Sequence, residues 1–104
     1  MSLVMLYVTA SSRSEAEKIA KILVEERLIA CANLFDGMTS LYWWEGKVQS
    51  DAEASFFAKT KESLVDKITQ RIKELHSYDC PCVVSLPISG GNVEFLDWIA
   101  EETV

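Results

Sequence analysis

The chain has 104 residues, 49% hydrophobic and 25% charged, with 10 basic against 16 acidic side chains and a formal net charge of −6. That length holds one core rather than two, so residues 1–104 read as a single domain. The acidic balance argues against a nucleic-acid binder, whose phosphate contacts need a basic face, and against docking on anionic membranes.

Other exclusions follow from local composition. No apolar run reaches the ~18 residues that a membrane span needs. The N-terminus lacks the basic and apolar regions of a secretory signal. Three cysteines at irregular spacing suggest no disulfide framework. The chain is therefore expected to be cytoplasmic, with no membrane span.

Leu3 to Ala10 is an apolar run rich in β-formers and predicts a central strand. Ser12 followed by Glu15 fits a capping box, with Ser14 and Glu17 as a second register. Ala16, Ile19, Ala20, Leu23 and Val24 then recur at helical spacing and predict one apolar stripe, with the helix ending near Leu28. Ile29-Ala30-Cys31-Ala32 starts a long strand.

The next stretch, Ala30 to Thr60, is a hairpin turning at Glu45-Gly46, where Gly46 can adopt positive φ. On its return arm Val48, Ala52, Ala54, Phe56 and Ala58 alternate with Lys47, Gln49, Asp51, Glu53, Ser55 and Lys59. This period of two predicts one buried and one wet face. Cys31 to Trp44 would extend roughly 45 Å, whereas a compact chain of this size is only about 34 Å across. Asp36-Gly37 is a candidate bulge on the outgoing arm. The tip should still project, and it carries Tyr42, Trp43 and Trp44. So much aromatic surface predicts docking on another subunit, unless the rings fold back on a local core.

Lys61 to His76 reads as a second helix with Leu64, Ile68, Ile72 and Leu75 on its buried face. Val83 to Ile88 is a short strand, and Pro87 places it at a sheet edge or a strand end. Asn92 caps a last helix carrying Phe95, Leu96, Trp98 and Ile99. The order β-α-β-β-α-β-α is that of an α+β fold, the ferredoxin-like split βαβ sandwich plus a C-terminal helix.

Several segments carry a family resemblance. These are Val8-Thr9-Ala10, Glu26 to Asn33, Thr39 to Lys47, Ala58-Lys59-Thr60, His76-Ser77-Tyr78 with Pro81, Leu86-Pro87-Ile88 and Leu96-Asp97-Trp98. Together they closely resemble the CutA divalent-cation-tolerance family over nearly the whole chain. The resemblance implies a ferredoxin-like fold, a homotrimer built through the long hairpins, and a link to copper or other divalent metals. Relatives with assigned copper ligands carry a cysteine just before the first-strand threonine and a second histidine just before the retained one. This chain has Val8 and Leu75 there, and neither ligates a metal. Of that set only His76 survives.

His76, the only histidine, reads either as a metal ligand or proton-transfer group, or as a helix C-terminal residue serving free carbonyls. Cys80 and Cys82 flank Pro81, and at i, i+2 two strand residues share a face. With His76 they would supply three ligands for a soft ion such as Cu(I) or Zn, or they are simply small core residues. Cys31 reads as packing. Lys59 reads as an anion partner or an exposed strand-end charge.

No nucleophile–base–acid set and no phosphate-binding glycine pattern occurs, so the chain is not expected to be an enzyme. The leading expectation is a homotrimer binding a metal ion or small ligand at subunit clefts. The alternative is a ligand-sensing trimeric signalling protein of the same fold.

Overall fold

The computed structural model describes residues 2–104. Its strands are β1 (Leu3–Ala10), β2 (Cys31–Trp44), β3 (Lys47–Lys61) and β4 (Val83–Pro87). Its helices are α1 (Arg13–Glu25), α2 (Val65–Leu75) and α3 (Val93–Glu101), with a single 3₁₀ turn at Glu62–Leu64 before α2. The sheet order is β2-β3-β1-β4 and every pairing is antiparallel. This is the expected α+β architecture, with β4 and its Pro87 at an edge. Among the described residues no helix is long and apolar enough to cross a membrane.

Local chemistry sets the helix ends. Ser12 Oγ accepts the Glu15 amide at 3.1 Å, and Glu15 Oε1 accepts the Ser11 amide at 2.9 Å. The reciprocal bond therefore falls on Ser11 rather than on Ser12. The helix stops at Glu25, three residues before the expected end, because Arg27 takes φ 58°. The Leu28 amide then donates to the Leu23 carbonyl and the Arg27 amide to Val24, both at 3.0 Å. That pair of bonds is a Schellman closure. Ala16, Ile19, Ala20 and Leu23 are buried, but Val24, expected in the same stripe, is 39% exposed. In α2, Ile68 and Ile72 are fully buried while Leu64 and Leu75 pack partly against the core. Lys61 belongs to β3 rather than to the helix. In α3 only Ile99 is buried; Phe95 and Trp98 are exposed and lie ring to ring at 5.3 Å.

One sheet face forms the core. Val4, Leu6, Val8 and Ala10 pair with Thr60, Ala58, Phe56 and Ala54, and all eight are buried. The one polar member, Thr60, donates its hydroxyl to the Leu28 carbonyl at 2.6 Å. The other face carries Tyr7, Phe57 and Phe35 as a row of rings, with centroids 5.1 and 5.8 Å apart. Phe35, Val84 and Leu86 on that face remain exposed.

The hairpin makes the molecule elongated, 44 × 25 × 23 Å. Its turn is Glu45-Gly46, with φ 51° and 76°. Positive φ at both positions matches the twist of a two-residue hairpin turn. At Asp36-Gly37 two residues of β2 stand opposite Ala54 alone, between the pairs Phe35↔Ser55 and Met38↔Glu53. Gly37 supplies the left-handed conformation there, φ 73°.

This bulge changes the side-chain parity of β2. Before it, odd residues of β2 share a face with odd residues of β3; after it, even residues do. Tyr42 and Trp44 therefore join Glu53, Asp51 and Gln49 on the face away from the helices. Trp43 pairs with Val48 on the opposite face. The tip aromatics thus lie on two opposed surfaces. Val48 and Ala52, expected on the buried face, are exposed because the body ends before it reaches them.

Candidate functional site

Beyond the point where β1 ends, the free sheet face and the loop from His76 to Cys82 enclose a cleft of about 500 Å³. Its floor is Thr9, Ser40 and Glu53; its hairpin wall is Tyr42 and Trp44. The loop wall is Tyr78, Asp79, Cys80 and Cys82.

His76 anchors that loop. Its side chain is 0% exposed. Nε2 lies 2.8 Å from the Thr9 carbonyl, and Nδ1 accepts the Tyr78 amide at 3.0 Å. Since a carbonyl can only accept, Nε2 carries the proton and Nδ1 offers its lone pair to Tyr78. Both ring nitrogens are thus engaged inside the chain. Glu15 holds the next residue: its Oε2 accepts the Ser77 amide at 2.8 Å and lies 4.0 Å from His76 Nδ1. Burial acts to raise the pKa of Glu15, but hydrogen bonds from Ser11 and Ser77 outweigh it and hold the carboxyl at about 2.

Tyr78 continues the chain of contacts. Its ring packs on His76 with centroids 4.7 Å apart, and its hydroxyl donates to Glu53 Oε2 at 2.7 Å. Burial, and then the Glu53 carboxylate beside it, push the Tyr78 phenol well above its ordinary range. Across the cleft the Tyr42 hydroxyl donates to Asp51, which raises Tyr42 as well. Both phenols therefore act as hydrogen-bond donors that fix carboxylates, not as acids or bases near neutrality.

The residues marked in the sequence separate here. Cys80 and Cys82 are free thiols, exposed and half-buried respectively, and both line the cleft. They precede β4, so strand geometry does not align them. His76 sits behind the loop rather than in the cleft. Among the described residues no group of three or more His, Cys, Asp or Glu could hold a metal ion. Val8 is buried in the core opposite Phe56, and Leu75 packs against the same core. Hence His76, Cys80 and Cys82 do not form the expected three-ligand set within one chain, and a resident metal does not fit these residues as they stand.

Lys59, read as a possible anion partner, donates instead to Asn33 Oδ1 at 2.7 Å and lies 3.8 Å from the half-buried Cys31 sulfur. Tyr42 and Trp44 enter the cleft while Trp43 does not. The pairing of Glu53 with Tyr78 escaped the sequence reading. Its only signal was that Glu53 shares the odd face of β3 with Asp51 and Gln49. A second cleft of about 480 Å³ lies between β4 and α3, lined by Pro87, Leu96 and Asp97 among others, and gathers no comparable set.

Residues 4–102 match the profile of the CutA1 divalent ion tolerance protein family. The chain belongs to the CutA1 divalent ion tolerance family. "Protein CutA 1, chloroplastic" of Oryza sativa subsp. japonica is 44% identical over 96% of this chain, which spans 56% of that protein. The chain thus covers about half the length of this relative. The crystal structure of CutA1 from Oryza sativa superposes with a TM-score of 0.97 at 42% identity, covering 100% of this chain and 95% of that one. The structure of the periplasmic divalent cation tolerance protein CutA from Archaeoglobus fulgidus gives 0.93 at 42% identity, covering 96% of this chain and 97% of that one. The CutA1 structures carry the ferredoxin-like expectation, and the family name carries the link to divalent cations.

Proposed function

We propose that this CutA1-family chain acts as a homotrimeric binding protein in divalent-cation tolerance, taking a metal ion or small ligand at clefts between subunits rather than catalysing a reaction. One observation carries the assembly: a sheet face bearing Phe35, Val84 and Leu86 in water, continued by a hairpin whose two faces expose Trp43 (74%) and Trp44 (60%). Apolar surface of that extent on one chain marks a protein interface. The cleft sits on the same free face, so subunits that cover this face border it. Light scattering at micromolar concentration should return about three times 11.7 kDa. A monomer mass overturns the reading.

For a metal ion, Cys80 and Cys82 are the ligands this chain brings to the cleft. Further donors would have to come from a neighbouring subunit or from release of His76 Nδ1. Soft thiolates favour Cu(I) over Mg²⁺ or Ca²⁺. Copper affinity, measured by competition with a chromophoric chelator under reducing conditions, should fall in a Cys80→Ser/Cys82→Ser variant and less in His76→Ala. Equal binding by wild type and both variants removes these residues from the metal account. Residence in the cytoplasm is likewise part of the proposal, since named relatives are chloroplastic or periplasmic. Fractionation of cells against a compartment marker decides it.

A further inference from the structure

The cleft has the makings of a site for a different class of ligand. Its volume of about 500 Å³ suits a small molecule and far exceeds a bare ion. Three of its lining side chains, Tyr42, Trp44 and Tyr78, are aromatic. Aromatic faces carry negative quadrupole charge and attract cations. Two more, Glu53 and Asp79, are carboxylic acids, and among the described lining residues none is Lys, Arg or His. An anion entering here would meet no partner charge.

The carboxylate at the floor is also held in place. Tyr78 fixes Glu53 Oε2, and Tyr78 is itself fixed through its amide to His76 Nδ1, whose Nε2 is tied to Thr9. Glu53 Oε1 is left as the acceptor for a donor from outside the chain. On the opposite wall Asp51 holds the Tyr42 hydroxyl, which orients that ring. A fixed carboxylate facing aromatic walls is preorganised for a charge that it need not coordinate directly. It therefore does not require the three-donor group that a metal needs and that one chain lacks.

We propose that the cleft bounded by Tyr42, Trp44 and Tyr78 over Glu53 binds an organic cation, an ammonium group carried on an apolar body. This rests on the reading of the cleft as a ligand site and names the class of ligand that site takes.

The test uses the protein in its native assembly, with choline as the cationic probe. The control is the uncharged tert-butyl isostere of choline, in which carbon replaces the nitrogen. Heteronuclear NMR should show saturable choline-induced shifts at the Glu53 and Tyr78 amides. The isostere should bind about tenfold or more weaker, since it lacks both the cation–π contact and the Coulombic attraction to Glu53. Glu53→Gln keeps an acceptor for the Tyr78 hydroxyl but removes the charge and its Coulombic attraction, and should weaken choline by about tenfold. Trp44→Leu keeps an apolar wall without the π face and should weaken choline while sparing the isostere. Light scattering on both variants controls for assembly. Equal binding of choline and its isostere overturns the proposal, as does an unchanged affinity in Glu53→Gln. Zn²⁺ provides the separating arm. If Zn²⁺ shifts these amides and choline does not, the ligand class is wrong and the cleft reading stands. If neither probe shifts them, both fall together.

Discussion

The root and the tip of the hairpin are the same two strands in different surroundings. At the root, Ala54, Phe56 and Ala58 alternate with half-buried Phe57 and Lys59, and the apolar side chains are buried under the helices. At the tip, Val48, Leu41 and Trp43 continue an apolar row over nothing and stay exposed. The pattern of side chains is similar, and what differs is whether a body lies beneath it. Period-two alternation therefore says which residues share a face, and only the packing of other elements says whether that face is dry.

The largest effect should separate these halves. Phe56→Ala removes a fully buried ring at the root. It should cost about 3–5 kcal/mol of folding stability, measured as a shifted denaturant midpoint. The counterpart at the tip is Trp43→Ala. On a free monomer an exposed ring contributes little to folding, whereas in the proposed trimer its loss should weaken assembly by ~2 kcal/mol or more. Mass measured along a dilution series reads this directly. A Trp43→Ala protein that keeps the wild-type mass at every dilution breaks the comparison at its tip.

An intermediate effect concerns the loop that connects the root to the cleft. Glu15 is held at about pKa 2, below its ordinary 4.5, and its carboxylate bonds the Ser77 amide. A lowered folded-state pKa means that the unfolded chain takes up the proton first. The stabilisation is present above about pH 4.5 and is lost as pH falls toward 2. The full shift corresponds to about 3 kcal/mol, and solvent screening reduces the expected loss to about 1–2. Urea midpoints between those pH values should fall in wild type and stay flatter in Glu15→Gln. Parallel slopes for the two proteins would remove Glu15 from the account.

These contacts also mark how far the sequence was legible. The order of elements, the two-residue turn and the bulge were all readable, because each rests on neighbours in the chain. The end of α1 was not, because Arg27 adopts φ 58° without the glycine that usually signals such a stop. The site was legible only in part. His76 looked like a ligand because its partners, the Thr9 carbonyl and the Tyr78 amide, are backbone groups, and Thr9 stands 67 residues away. Glu53 looked like an ordinary wet-face residue until Tyr78, 25 residues on, was brought to it. Tyr42, Trp43 and Trp44 alternate faces as any strand residues do, but which of them faces the cleft was not legible, because a single bulge residue changes the parity of everything beyond it.

That bulge gives the smallest and most local test. Gly37 has φ 73° and no atom within 4 Å of where a Cβ would stand, so the obstacle to a side chain there is conformational, not spatial. Gly37→Ala should cost about 1 kcal/mol, the penalty for placing an L-residue in the left-handed region. The root should not register the change, since Phe35↔Ser55 and the pairs before it precede the bulge. Deleting Gly37 is the sharper version. Asp36 would then stand opposite Ala54 one for one, so Met38, Tyr42 and Trp44 would keep Glu53, Gln49 and Lys47 as partners and stay on the cleft side, with only the local bend of the bulge lost. Nuclear Overhauser contacts between the Trp44 ring and its cross-strand neighbours read the outcome. If the deletion instead turns Trp44 to the helix side, with the root intact, then the extra residue at Asp36-Gly37 is not what sets the register of the tip.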